Sequence, residues 1–253
     1  MKFTYLLIDL FAVIIPLLFS FHPKLQFNKQ FRPFFAANII SATFFLIWDA
    51  VFTANGVWGF NNDYILGWRI FDLPIEEILF FFCIPFACVF TYHCINIFYK
   101  IKWNKVFENI CVILFSLVLL FAGILNIEKD YTVVTFFSTA IFLLALKFLF
   151  KVKWLPKFFT IYLLLLVPFF IVNGILTGTG LDQPVVWYNN SENLNTRLLT
   201  IPVEDIFYGF LLIILTLFFY EKFKTTIPIH KKENHKKFFL FKNIHITAHV
   251  FIL

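Results

Sequence analysis

Seven apolar runs, each about long enough to cross a bilayer, dominate this chain. Their cores fall at 5–21, 34–52, 75–98, 106–125, 133–150, 158–175 and 203–220. Inside hydrocarbon every backbone N–H and C=O must find a partner within the protein, so runs of this length have to be helices. Only 14% of the 253 residues are charged, well below the roughly one quarter usual in soluble domains. The expected fold is therefore an all-α membrane protein with seven transmembrane helices. The first run carries Asp9 and lacks a small-residue cleavage site, so it reads as a retained helix and not as a signal peptide.

The loops are basic on alternate sides. Four lysines and arginines fall on the side of the N-terminus and seventeen on the other. The excess of positive charge marks the cytoplasmic side. This predicts an outer N-terminus and a cytoplasmic C-terminus. The net charge of +6 thus belongs to membrane topology and does not call for nucleic acid.

One stretch occurs twice. Leu73-Pro74-Ile75-Glu76-Glu77 runs into the third apolar span, and Ile201-Pro202-Val203-Glu204-Asp205, 128 positions later, runs into the seventh. The same shift carries Asn61 onto Asn189 and Arg69 onto Arg197. Asp49 falls over Asn173, and Trp58 is matched with Trp187. Two three-helix units follow, 1–100 and 131–222, with a linking helix in 101–130 and a basic tail in 223–253. An odd linking helix gives both units the same orientation, so the repeats are expected to be parallel (3+1+3). The two acid pairs would then open on one outer face and share one cavity.

Proline followed by acids is also an ordinary helix start, because proline needs no N–H partner there and carboxylates suit the helix dipole. In a membrane, however, such acids are costly and mark function. Adjacent residues point about 100° apart. The acids identical in both copies, Glu76 and Glu204, are therefore expected to face the cavity. Glu77 and Asp205 are expected to orient a neighbour or to pair with Arg69 and Arg197. A pair split into one protonated and one ionised acid suits general acid–base work. Trp58 and Trp187 read equally well as interfacial belt residues or as cavity walls that face a cation. Asp49, deep in the second span, is a further functional candidate, and Asp9 a weaker one.

Several chemistries lack their signature. The four cysteines, Cys83, Cys88, Cys94 and Cys111, have no metal spacing and read as small buried hydrophobes. His245 and His249 have a helical ligand spacing but stand alone. There is no dinucleotide fingerprint, no serine nucleophile elbow, and no lysine between Val203 and Tyr220 for a retinal Schiff base. Neither a cofactor nor a metal is expected.

The residues Trp48-Asp49, Gly56 to Asn61, Leu73 to Glu77, Pro85 to Phe90 and Ile201 to Phe210 resemble the small integral-membrane lycopene cyclases, in their fused two-repeat form. The resemblance covers residues 1 to about 222. It implies closure of the acyclic ψ-ends of lycopene to β-rings by acid–base, non-redox chemistry. Glu76, Glu77, Glu204 and Asp205 match the family's acid motifs. His93 stands where the family usually has glutamate. Lycopene or a related carotenoid within the bilayer and membrane lipids are the implied partners. Contact with other carotenoid-pathway enzymes also fits, in a bacterial cytoplasmic membrane. The runner-up is a small-solute transporter with parallel three-helix repeats, and a third reading is a carotenoid-binding scaffold.

Overall fold

The structure is a computed structural model and describes residues 1–226; of the basic tail read from the sequence, 223–226 continue the last helix and 227–253 lie outside the described residues. Seven helices make up about two thirds of it: α1 (Thr4–Phe19), α2 (Phe31–Ala54), α3 (Ile75–Phe98), α4 (Lys105–Leu125), α5 (Asp130–Leu144), α6 (Leu155–Leu176) and α7 (Val203–Thr226). A 3-10 turn, Phe27–Gln30, leads into α2, and a π-helical segment, Ala145–Leu149, ends α5. Six helical segments are long and apolar enough to cross a membrane. α1, at 16 residues, is only about 24 Å long at 1.5 Å per residue. It is still apolar outside: Leu7, Phe11, Ile14 and Leu18 are exposed, as lipid-facing residues would be.

The helices pack chiefly as α1 along α3, α5 along α7, α4 along α5, and α2 along α7. The first two pairings are equivalents in the two repeats. The last has no close equivalent, because α6, the counterpart of α2, touches α3 only sparsely. That difference leaves a seam beside α3 and α6. Polar residues inside the bundle answer to the backbone. Pro85 lies inside α3 and leaves the carbonyl of Phe81 without its helical donor. Asn38 of α2 donates to that carbonyl at 3.2 Å. At the other end of α3, His93 Nε2 bonds the carbonyl of Leu25 at 2.8 Å, which ties down the α1–α2 loop.

Short strands organise the loops before α3 and α7. β1 (Trp58–Phe60) comes from the first repeat and β4 (Val186–Tyr188) from the second. They pair antiparallel, with Trp58 opposite Tyr188, Gly59 opposite Trp187 and Phe60 opposite Val186. Two further hydrogen bonds flank the ribbon: Asn61 N–H to the Val185 carbonyl at 2.9 Å, and Asn189 N–H to the Val57 carbonyl at 2.8 Å. Each is the other shifted by 128 residues, so the ribbon has an approximate two-fold centre at Gly59 and Trp187. The match of Trp58 with Trp187 expected from the sequence is therefore off by one. Trp187 is the counterpart of Gly59, Trp58 of Val186, and Tyr188 of Phe60. Aligning tryptophan on tryptophan would delete a residue from the strand and turn its side chains to the wrong face.

Each repeat adds a two-residue hairpin. β2 (Arg69–Ile70) pairs with β3 (Leu73–Pro74), and β5 (Arg197–Leu198) with β6 (Ile201–Pro202). Proline thus ends a strand and precedes the first helical residue, one place earlier than a proline inside the first turn. Phe71 and Leu199, at equivalent hairpin tips, both take a positive φ and are 85% and 77% exposed. Apolar side chains presented this way suit a bilayer interface.

A side chain at position 59 would collide with its partner, because a Cβ there would lie 2.4 Å from the Trp187 ring. Gly59→Ala is expected to destabilise the protein by about 1–3 kcal/mol through overpacking. Adding Trp187→Ala should restore most of that loss, as read by thermal unfolding in detergent.

Candidate functional site

The atoms around the two acid motifs repeat with the same spacing as the sequence. Glu76 Oε1 accepts from the Leu66 N–H at 2.7 Å, and Glu204 Oε1 from the Leu194 N–H at 2.7 Å. Arg69 donates to the Asp72 carbonyl and to Asn62 Oδ1, both at 2.8 Å. Arg197 donates to the Thr200 carbonyl at 2.7 Å and to Asn190 Oδ1 at 2.9 Å. Asn61 Oδ1 and Asn189 Oδ1 each accept from the amide two residues on, at 3.0 and 3.1 Å, the local turn this residue type favours. Arg69, Arg197, Asn61 and Asn189 are thus fasteners of the loop that presents α3 and α7.

This corrects two expectations. The arginines hold the hairpins and do not pair with Glu77 or Asp205. It is also the second acid of each motif, not the first, that lines the cavity. Glu76 and Glu204 are fully buried and turned toward the loop. Glu204 has an extra donor, the Thr132 hydroxyl at 2.6 Å.

Glu77 and Asp205 line one cavity of about 250 Å³, together with Asp49, Trp58, Tyr208 and a long apolar wall. Along α3 its lining runs from Glu77 to Thr91, about 21 Å at helical rise. α6 supplies the facing wall, where Pro168 is exposed and Phe169 and Val172 are half-buried. The apolar seam between α3 and α6 therefore leads from the acids toward the lipid-facing surface. Trp187 is 42% exposed and stands outside this cavity.

Each cavity acid is held by a tyrosine from the first helix of its own repeat. Tyr5 donates to Glu77 Oε2, and Tyr131 donates to Asp205 Oδ1 at 2.6 Å. Tyr188 adds a second bond, to Asp205 Oδ2 at 3.0 Å. Tyr5 and Tyr131 are structural equivalents, since the Tyr5 amide donates to the Tyr64 carbonyl and the Tyr131 amide to the Glu192 carbonyl. Sequence reasoning missed them because their spacing is 126, not 128, and a two-residue shift hid the match. Asp49 Oδ1 accepts from the Trp58 indole N–H at 2.5 Å. In the second repeat the tryptophan becomes Val186 and the acid becomes Asn173, so the two changes go together. Trp58 stands among rings: centroids of Phe52, Tyr131, Tyr208 and Tyr188 lie 5.0, 5.1, 6.1 and 6.2 Å away. Asp9 is fully buried, one helical turn beyond Tyr5, with both oxygens unpartnered.

Because Glu76 fastens a loop, its replacements should differ. Glu76→Ala strands the Leu66 amide, at a cost of about 1–3 kcal/mol for a buried unsatisfied group. Faster hydrogen exchange across residues 62–74 is expected, whereas Glu76→Gln keeps an acceptor oxygen and should leave exchange close to the parent.

A family model described as lycopene cyclase matches this chain at residues 2–95 and again at 128–223. The matched stretches are the two repeats that meet at the cavity, and the whole of α4 lies between them. No curated protein and no solved structure matches the chain. With three quarters of its length matched, in two copies, by that one model, the chain belongs to the lycopene cyclase family.

Proposed function

We propose that this protein closes the acyclic ψ-ends of lycopene to β-rings inside the bilayer, by proton transfer alone. The observation that carries this is the meeting of Glu77 and Asp205, one from each repeat, at the end of a single apolar cavity. A hydrocarbon substrate offers nothing to hydrogen-bond, so its site has to be apolar along its length and polar only where protons move. A cavity that runs about 21 Å along α3 accommodates one end of a long polyene, with the remainder directed along the seam toward lipid.

The reaction begins when a carboxylic acid protonates the terminal double bond. The tertiary cation so formed is attacked by the neighbouring double bond, which makes the ring C–C bond and moves the cation into the ring. A carboxylate then removes a ring proton and leaves the ring double bond. One proton is added and one is lost, so the product is an isomer and no electrons are exchanged. The π faces of Trp58, Tyr131, Tyr188 and Tyr208 supply negative charge density to the cation. Asp49 fixes the Trp58 ring through its indole N–H. The same reading places the loop end of the bundle outside, because the basic residues concentrate on the opposite side.

Lycopene-producing cells that express the chain should turn from red to yellow-orange, with cyclic products resolved by chromatography. Glu77→Gln and Asp205→Asn should each lower ring formation by about a hundredfold or more, with the protein still inserted in the membrane. Red cells with the intact protein, or full turnover in both variants, would remove the proposal. Uptake of a polar solute without any pigment change would favour a transporter instead.

A further inference from the structure

The two cavity acids are equivalent by descent but differ in their donors. Asp205 has a phenol on each oxygen, Tyr131 at 2.6 Å and Tyr188 at 3.0 Å. Glu77 has one phenol, Tyr5, on Oε2. Among the described residues no hydrogen bond reaches Glu77 Oε1. The difference traces to one hydroxyl. Tyr188 is the ribbon counterpart of Phe60, which lines the same cavity from the first repeat and has nothing to donate.

We infer that Tyr188 is the positioning residue that divides the roles: Asp205, held by two phenols, is the base, and Glu77, with one oxygen free in the cavity, is the proton donor. The inference rests on the cyclase reading above. Its physical ground is that hydrogen bonds donated to a carboxylate favour the ionised form. Two donors, one per oxygen, also leave no lone oxygen on which a proton would sit without breaking a bond. Glu77 can carry its proton on Oε1 and keep the Tyr5 bond on Oε2. During turnover Glu77 gives its proton to the substrate and Asp205 takes one from the ring. Returning that proton from Asp205 to Glu77, across the cavity they share, resets the site with atoms and charge balanced.

Other ionisable groups surround both acids. Asp205 has Glu204 and Tyr208 near it on α7, Tyr131 on α5, Tyr188 on β4, Arg197 on β5 and Tyr162 on α6, with Glu77 across the cavity. Glu77 has Glu76 beside it on α3, Tyr5 and Asp9 on α1, Asp49 on α2, Tyr188 on β4, and Asp205 and Tyr208 on α7. Asp9 and Asp49 stand beside Glu77 and not beside Asp205, but neither donates a bond to it, so the Phe60/Tyr188 pair is where a donor on the acid itself can be exchanged.

The test is a matched pair of variants assayed against pH, with lycopene in membranes from cells expressing the full chain. Tyr188→Phe removes a donor from the base, which makes it harder to ionise. The acid limb of the kcat/KM profile should move to higher pH, with a loss of about tenfold on that side and little change on the alkaline side. Phe60→Tyr supplies Glu77 with a second donor, which makes it harder to keep protonated. The alkaline limb should move to lower pH by a similar factor. If both variants lower activity evenly with the limbs unmoved, or if the two effects are exchanged, the division of roles is overturned. If the parent protein itself makes no cyclic carotenoid, it is the cyclase reading that fails.

Discussion

Everything at the candidate site hangs on the antiparallel ribbon between the repeats. Two backbone hydrogen bonds, from Asn61 to Val185 and from Asn189 to Val57, bracket the Gly59–Trp187 centre. They bring the starts of α3 and α7 to the same end of the bundle. Without that pairing each acid motif would open its own helix at its own place on the membrane surface. Because the ribbon is centred on Gly59, residues at 58, 60, 186 and 188 share one face and line the cavity, while Trp187 takes the other face. Strand alternation thus decides which aromatics meet a substrate.

Buried carboxylates are expensive in a bilayer, and the structure offsets the expense in two distinct ways. Glu76 and Glu204 are spent on the loops, where each accepts a backbone amide that would otherwise be unpaired. Glu77 and Asp205 are set against phenols that point them into the cavity. One turn of helix thereby does two jobs: its first acid fixes the loop that positions the second. The order is the reverse of what identity between the copies implies. Glu76 and Glu204 are identical because a loop amide at a fixed reach demands one length of side chain. Glu77 and Asp205 differ in length, yet each reaches the tyrosine at the equivalent place on the first helix of its repeat.

Much of the fold was legible in the sequence, because hydrophobic length and a 128-residue repeat are strong, local signals. The seven helices, the two repeats and the duplicated acid pairs were readable on that basis, but not which acid of each pair lines the cavity. What was not readable depended on contacts between repeats. The arginines recur with the acids, and nothing local says that they fasten hairpins to Asn62 and Asn190 instead of pairing with Glu77 and Asp205. The tyrosines were hidden by a shift of two residues, since Tyr5 and Tyr131 lie outside the 128-residue frame. Trp187 misled because a shared residue type outweighed strand register, and register is set by a partner strand far away in sequence.

A duplicated protein faces a chemical difficulty that the cavity makes visible. Two carboxylates set close together share one proton, because both cannot ionise at once, but symmetry alone does not say which of them keeps it. Divergence between the repeats can make that choice; it is wide in sequence, and part of it falls on the acids and their surroundings. The loops kept their amide, arginine and asparagine bonds, because those shape the site. Among the changes there are Glu77 against Asp205, Phe60 against Tyr188, Trp58 against Val186 and Asp49 against Asn173. The same logic holds for the packing. α2 closes on α7 while α6 stands off from α3, so that one seam is sealed and the other stays open along the cavity.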